Sequence, residues 1–195
     1  CIGGSIMAGI QIDGVNNKID FDDDLDTSIS ANTDDTLVIE AGGNTMATIT
    51  ATTFTINDGT TITTADNTDT LSLISTDADA LSSPNLVLYR NSSSPADGDQ
   101  LGYMHFKGRN DNSQDVTYAK LLVHTDDVSD GEEDGDLFLQ VMTAGTLQNY
   151  VSMLAVENHP EVVINDGSID MNFRVESNGN QDMFFVDGGD NRVGI

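Results

Sequence analysis

The chain has 195 residues, 33 of them acidic and seven basic, for a formal net charge of −26. A surface of that sign repels phosphate and anionic lipid, which argues against binding nucleic acid through its backbone or docking on an anionic membrane. Only 37% of residues are hydrophobic and 6% aromatic, with no tryptophan, so a core able to offset the entropy of ordering this many residues is hard to build alone, which leaves disorder or burial against other chains. Short β-branched runs at regular spacing fit shared burial better than disorder.

Cys1 is the single cysteine, which leaves no intrachain disulfide framework and no cysteine-based zinc site. It stands either where a mature bacterial lipoprotein carries its lipid or simply at the start of a piece of a longer chain. The opening CIGGSIMAGI is too short to span a bilayer. No window carries a sustained apolar stripe at helical spacing. Residues 1–83 instead read as a Thr/Asp-rich β shaft. Residues 36–40, 46–50, 53–56 and 61–64 are short β-branched runs, each bounded by a turn cluster such as Gly42, Gly43 and Asn44. Asp58 and Gly59 give a tight-turn or hairpin signal between two of them. Threonine keeps the strand preference but buries little apolar area, so these strands are expected to be thin-cored and wetted.

Residues 84–157 change character, gathering Tyr89, Tyr103, Phe106, Tyr118, Phe138 and Tyr150, and are expected to form a compact β module, sandwich-like, with a core of its own. Thr117, Ala119, Leu121 and Val123 alternate with Tyr118, Lys120, Leu122 and His124. Leu121, Val123 and Phe106 are expected to be buried, with Tyr118, Lys120 and His124 outward or at a subunit interface. Leu137, Leu139 and Val141 oppose Phe138, Gln140 and Met142 in the next strand, and the acidic stretch 129–136 reads as the connecting loop. From 158 to 195 the shaft pattern returns, with Met171, Phe173 and Val175 on one face and Asn172, Arg174 and Glu176 on the other. Residues 54–59 (FTINDG) resemble residues 162–167 (VVINDG). Short repeated strand-turn units that cannot bury a face alone point to a stacked β architecture.

Residues 21–29 (FDDDLDTSI), 33–40 (TDDTLVIE) and the Gly42, Gly43 pair resemble repeats of tail-fibre and appendage proteins of marine phages. Residues 86–91 (LVLYRN), 94–99 (SPADGD) and 106–111 (FKGRND) look like a β module of the same fibres. Residues 173–176 (FRVE), 183–189 (MFFVDGG) and 191–195 (NRVGI) are similar to the segment such fibres carry before a C-terminal chaperone domain, where the family's chain runs on and this one stops. The resemblance implies an all-β, elongated fibrous fold of short antiparallel strands, an intertwined parallel homotrimer with a shared axial core, and no catalytic residues. The implied partners are further copies of the chain, other virion tail or appendage proteins, and a host surface glycan or protein, with an extracellular, virion location and no membrane insertion. A bacterial surface filament built on the same β logic, with Cys1 lipidated, is the alternative.

The candidate chemistry lies in carboxylates. Asp22, Asp23, Asp24 and Asp26 form one cluster; Asp126, Asp127, Asp130, Glu132, Glu133, Asp134 and Asp136 form another. The spacing of an EF-hand calcium loop is absent, so both read as solvated acidic loops, with calcium or other cations held loosely at Asp22, Asp23, Asp24 and Asp26 and no dedicated cofactor. His105, His124 and His159 show no zinc-binding spacing and read as surface residues. The pairs Gly42, Gly43 and Gly188, Gly189 read as turn glycines with positive φ. A glycan depolymerase with paired carboxylates between subunits is the remaining enzymatic alternative. It lacks a tryptophan platform for a sugar.

Overall fold

The structure, a computed structural model, describes residues 10–81, 83–156 and 159–194. Cys1, and with it any modification there, lies outside the described residues. Among those described no helix forms, and the strands assemble into three antiparallel sheets. The chain divides into two compact units, Cys1–Pro84 and Asn85–Ile195.

The first unit holds a six-stranded sheet of β1 (Gln11–Asp13), β2 (Lys18–Asp20), β3 (Ser28–Thr33), β4 (Thr36–Ala41), β5 (Asn44–Ile49) and β6 (Phe54–Ile56), in sequence order. The turn from β4 to β5 is made by Gly42 and Gly43 at φ of 58° and 71°, the left-handed pair that a two-residue hairpin requires. In the second unit, β7 (Gln100–Arg109), β8 (Asp115–Asp127), β9 (Asp134–Thr143), β10 (Thr146–Leu154) and β11 (Glu161–Ile164) form a five-stranded sheet. A three-stranded sheet follows, of β12 (Phe173–Ser177), β13 (Asn180–Asp187) and β14 (Arg192–Gly194). Every sheet is a meander: each strand pairs with the strands before and after it in sequence.

Alternation along the strands sorts side chains onto two faces of unequal character. In the six-stranded sheet the register aligns Ile12, Ile19, Ile29, Ile39, Ala47 and Ile56 in one cross-strand row. Leu37, Ile49 and Phe54 form a second row on the same face. This ladder is open: Ile12 is 73% exposed and Phe54 64%. The polar face is the better covered one. There Ser28 is fully buried, donates to Glu40 Oε2 at 2.9 Å, and lies beside buried Ser30 and Asp20. The serines are small and sit between longer neighbours, so the sheet itself shields them.

The five-stranded sheet repeats this inversion. One face carries rows of Met104, Leu121, Leu139, Val151 and Ile164, and of Val123, Leu137, Met153 and Val162. The other carries His105, Lys120, Gln140 and Asn149 beside Tyr103, Leu122, Phe138 and Ser152. The predicted alternation holds, but the covered face is the opposite one. Phe106, expected inside, is 53% exposed, and Leu121 and Val123 are only half-buried. Leu122, expected outside, is 8% exposed and is one of two buried hydrophobic residues among those described; the other is Ala47. The reason is steric. Leu122 has aromatic partners directly across on both sides, Tyr103 and Phe138, and rings reach further over a neighbour than Leu121's aliphatic partners do.

Further expectations are corrected. Residues 129–136 are not all loop, because Asp134 begins β9. Residues 84–157 hold one sheet layer rather than two, and β11 joins that layer from beyond residue 158. Residues 61–64 form no strand, and no hairpin follows Asp58 and Gly59. None of the described residues of 57–99 is in a strand or helix, although Ile62, Leu73, Leu86 and Tyr89 lie among them, all exposed. Strand propensity alone makes no strand; it needs a neighbour to complete the ladder, and here the chain supplies none. Gly188 and Gly189 are not positive-φ residues. Gly188 is instead a close approach: a Cβ there would collide with the backbone of Met171.

The two similar segments occupy equivalent places. Residues 54–56 are β6 and residues 161–164 are β11, each the last strand of its sheet. The asparagine that follows extends the pairing in both, Asn57 N donating to Met46 O at 3.0 Å and Asn165 N to Tyr150 O at 3.1 Å.

Candidate functional site

The acidic loop between β2 and β3 is built by its own Asp and Thr side chains. Phe21 N donates to Thr27 O at 2.9 Å and closes the loop, while Gly43 N donates to Asp26 O at 2.8 Å and ties it to the β4–β5 turn. Leu25 sits at φ 66°, a conformation an L-residue adopts only when its surroundings hold it there. In this loop Asp22, Asp24 and Asp26 converge, with carboxylate oxygens within 4.8 Å of one another, while Asp23 stays out of the group.

Convergence shows in the acidities. Hydrogen bonding from Thr27 holds the Asp22 carboxyl below the ordinary carboxylate value. Burial pushes the Asp26 carboxyl up, helped by the charges of Asp24 and Asp22. Three carboxylates are only part of the six to eight oxygens calcium takes, and the loop has a cation of its own. Lys18 Nζ donates to Leu25 O at 2.9 Å and pairs with Asp20 Oδ1 at 2.7 Å. The Asp20 partnership raises the lysine's pKa, and the charges of Glu40 and Asp22 add to it. The sequence signal for this role is that Lys18 is the single basic residue before Arg90.

The second acidic stretch does not converge in this way. Asp136 is buried on the polar face of β9 and accepts from Ala155 N at 2.9 Å, Asp127 is held low in pKa by Ser129, and Glu133 accepts from Gly131 N. His105 meets Tyr103 edge-on at 4.9 Å, and His124 stacks on Phe138 at 5.0 Å. Both rings therefore belong to the aromatic cover of Leu122's face. A hydrogen-bonded group on that face was not foreseen from the sequence: Gln140 Nε2 donates to Asn149 Oδ1 at 2.7 Å, and buried Ser152 donates to Asp166 Oδ2 at 3.0 Å. The polar faces are thus hydrogen-bonded mostly from within, with Gln140 Oε1 buried and without a partner, and the apolar faces are left more open. No family model matches the chain, and no curated protein or solved structure matches it either.

Proposed function

We propose that this chain is a structural segment of a phage tail fibre or related virion appendage, assembled as a parallel homotrimer that projects a host-receptor-binding tip and performs no catalysis. The observation that carries the reading is the isoleucine ladder of the six-stranded sheet, an apolar face that crosses all six strands and leaves Ile12, Ile19, Leu37, Ile49, Phe54 and Ile56 exposed, with Ala47 buried among them. A single sheet layer is stable only when something covers its apolar side, and a shared axis between copies does that without lengthening the chain. Residues 57–99 support the same reading, because β-prone runs without a partner in their own chain gain one when copies intertwine. Sheets from neighbouring copies, face to face, would also supply the second layer of the sandwich-like module expected from the sequence. The partners in this reading are the chain itself, other appendage proteins, and a host surface glycan or protein at the tip. Its setting is extracellular, with cations loosely held along an acidic shaft.

Sedimentation equilibrium of the full chain tests the assembly: the expected mass is three times the 20.8 kDa of one chain. A folded monomer at micromolar concentration overturns it. Immunogold labelling tests the setting, with label expected on virion tails; label confined to bacterial cell surfaces overturns the phage assignment.

A further inference from the structure

We infer that the open apolar face of the five-stranded sheet is a contact surface between copies of this chain. This deepens the homo-oligomeric reading above and rests on it.

The face is free of charge. From Phe106 at one edge through Leu121 and Leu139 to Ile164 at the other, its cross-strand rows hold no ionisable side chain. Elsewhere the chain carries 33 carboxylates against seven basic groups. Two copies brought together over most of that surface set like charges against each other at short range, where salt screens them poorly. At this face they meet without doing so. The opposite face cannot serve in the same way, since its lysine, histidines and buried Asp136 are already engaged with Tyr103, Phe138 and Ala155.

The size fits as well. Five strands about 4.8 Å apart and about six residues long at ~3.3 Å each make a face on the order of 500 Å². Two copies meeting over it bury on the order of 1,000 Å² in total, the size a specific interface has to reach. A copy of the chain is the occupant that brings an equally charge-free apolar face to meet this one. A foreign partner finds no charged group in these rows by which to be chosen, and charge pairing is what fixes register and excludes wrong partners. The chain covers one corner itself: Leu88 lies over Gly102 at the β7 edge, where an added Cβ would come within 3.2 Å of it. Leu121 and Leu139, at the centre, have no such cover.

The test compares the two faces in the full-length protein by sedimentation equilibrium. Leu139→Glu puts a carboxylate in the middle of the open face and is expected to weaken association by at least about tenfold. His105→Glu, on the opposite face, leaves it unchanged. Because a charged variant can fail to fold, cross-linking is the second measurement. With Cys1 replaced by serine, Leu139→Cys is expected to give interchain products with a short bismaleimide, and His105→Cys none. If the wild type is oligomeric but Leu139→Glu associates normally, or Leu139→Cys does not cross-link, this surface is wrong while the homo-oligomer stands. If the wild type is itself a folded monomer, the homo-oligomer falls and takes this surface with it.

Discussion

The two larger sheets share a plan and differ in strand length. In the six-stranded sheet the strands run three to six residues, and its one buried apolar side chain is Ala47. In the five-stranded sheet four strands run nine to thirteen residues, and one face buries a leucine beneath aromatic neighbours. Longer strands place more cross-strand neighbours around a central residue, so a single layer begins to make a core of its own. The short-stranded sheet gets only as far as sheltering small side chains, Ala47 on one face and Ser28 and Ser30 on the other, with Asp20 beside them. What the comparison teaches is that strand length and ring size, more than the amount of aliphatic surface, decide what one layer can cover. Both aliphatic faces remain open.

The largest expected effect breaks the comparison at Leu122. Leu122→Ala should cost about 2–4 kcal/mol in denaturant unfolding, through the cavity left between Tyr103 and Phe138. A loss under about 0.5 kcal/mol, the range of ordinary surface changes, would mean the aromatic cover is not there. A smaller loss is expected in the other sheet, where Lys18→Met removes the cation from buried Asp20 and the Leu25 carbonyl. The lysine's pKa is raised above its ordinary 10.5, so its stabilisation is fully present at neutral pH and is lost only as pH climbs through the raised value. The variant should melt lower at pH 7, and the difference should close in strong alkali; equal melting at pH 7 would remove the lysine from its role as internal counter-ion.

The smallest effect has the opposite sign. Asp26 has a raised pKa, so its favourable contribution is present below the ordinary value of 3.8 and lost as pH rises through the folded value. Asp26→Asn keeps an acceptor for Thr27 and removes the charge, and should melt higher than the parent at pH 7 but not at pH 3. In the parent, melting should rise smoothly with sodium chloride, and millimolar calcium should add little at matched ionic strength. A saturable step at low calcium that a chelator abolishes would instead mark the three converging carboxylates as a dedicated site.

Much of the sheet architecture was legible in the sequence. The β-branched runs at 36–40, 46–50 and 53–56 became strands, Gly42 and Gly43 took the conformation expected of them, and the FTINDG and VVINDG segments both proved to be closing strands. The choice of covered face was not legible. A period of two assigns Leu121 and Leu122 to opposite faces without saying which face meets water. That depends on what lies across from each, and cross-strand partners such as Phe138 are fixed by register rather than by local pattern. Residues 61–64 failed for a related reason: threonine and isoleucine favour a strand, but the chain offers no neighbour. In the acidic loop, composition gave the four aspartates. The positive φ at Leu25 and the convergence of three of them without Asp23 have no sequence signal of their own.

The meander order of all three sheets bears on how the protein is made. Each strand needs only the strand before it, so as the chain leaves the ribosome every sheet can be laid down in sequence, hairpin upon hairpin, with no segment held waiting for a distant mate. Folding of this kind has low contact order and is correspondingly quick. Any step that joins separate chains then covers faces whose strand order is already laid down, at a rate set by how often those chains meet.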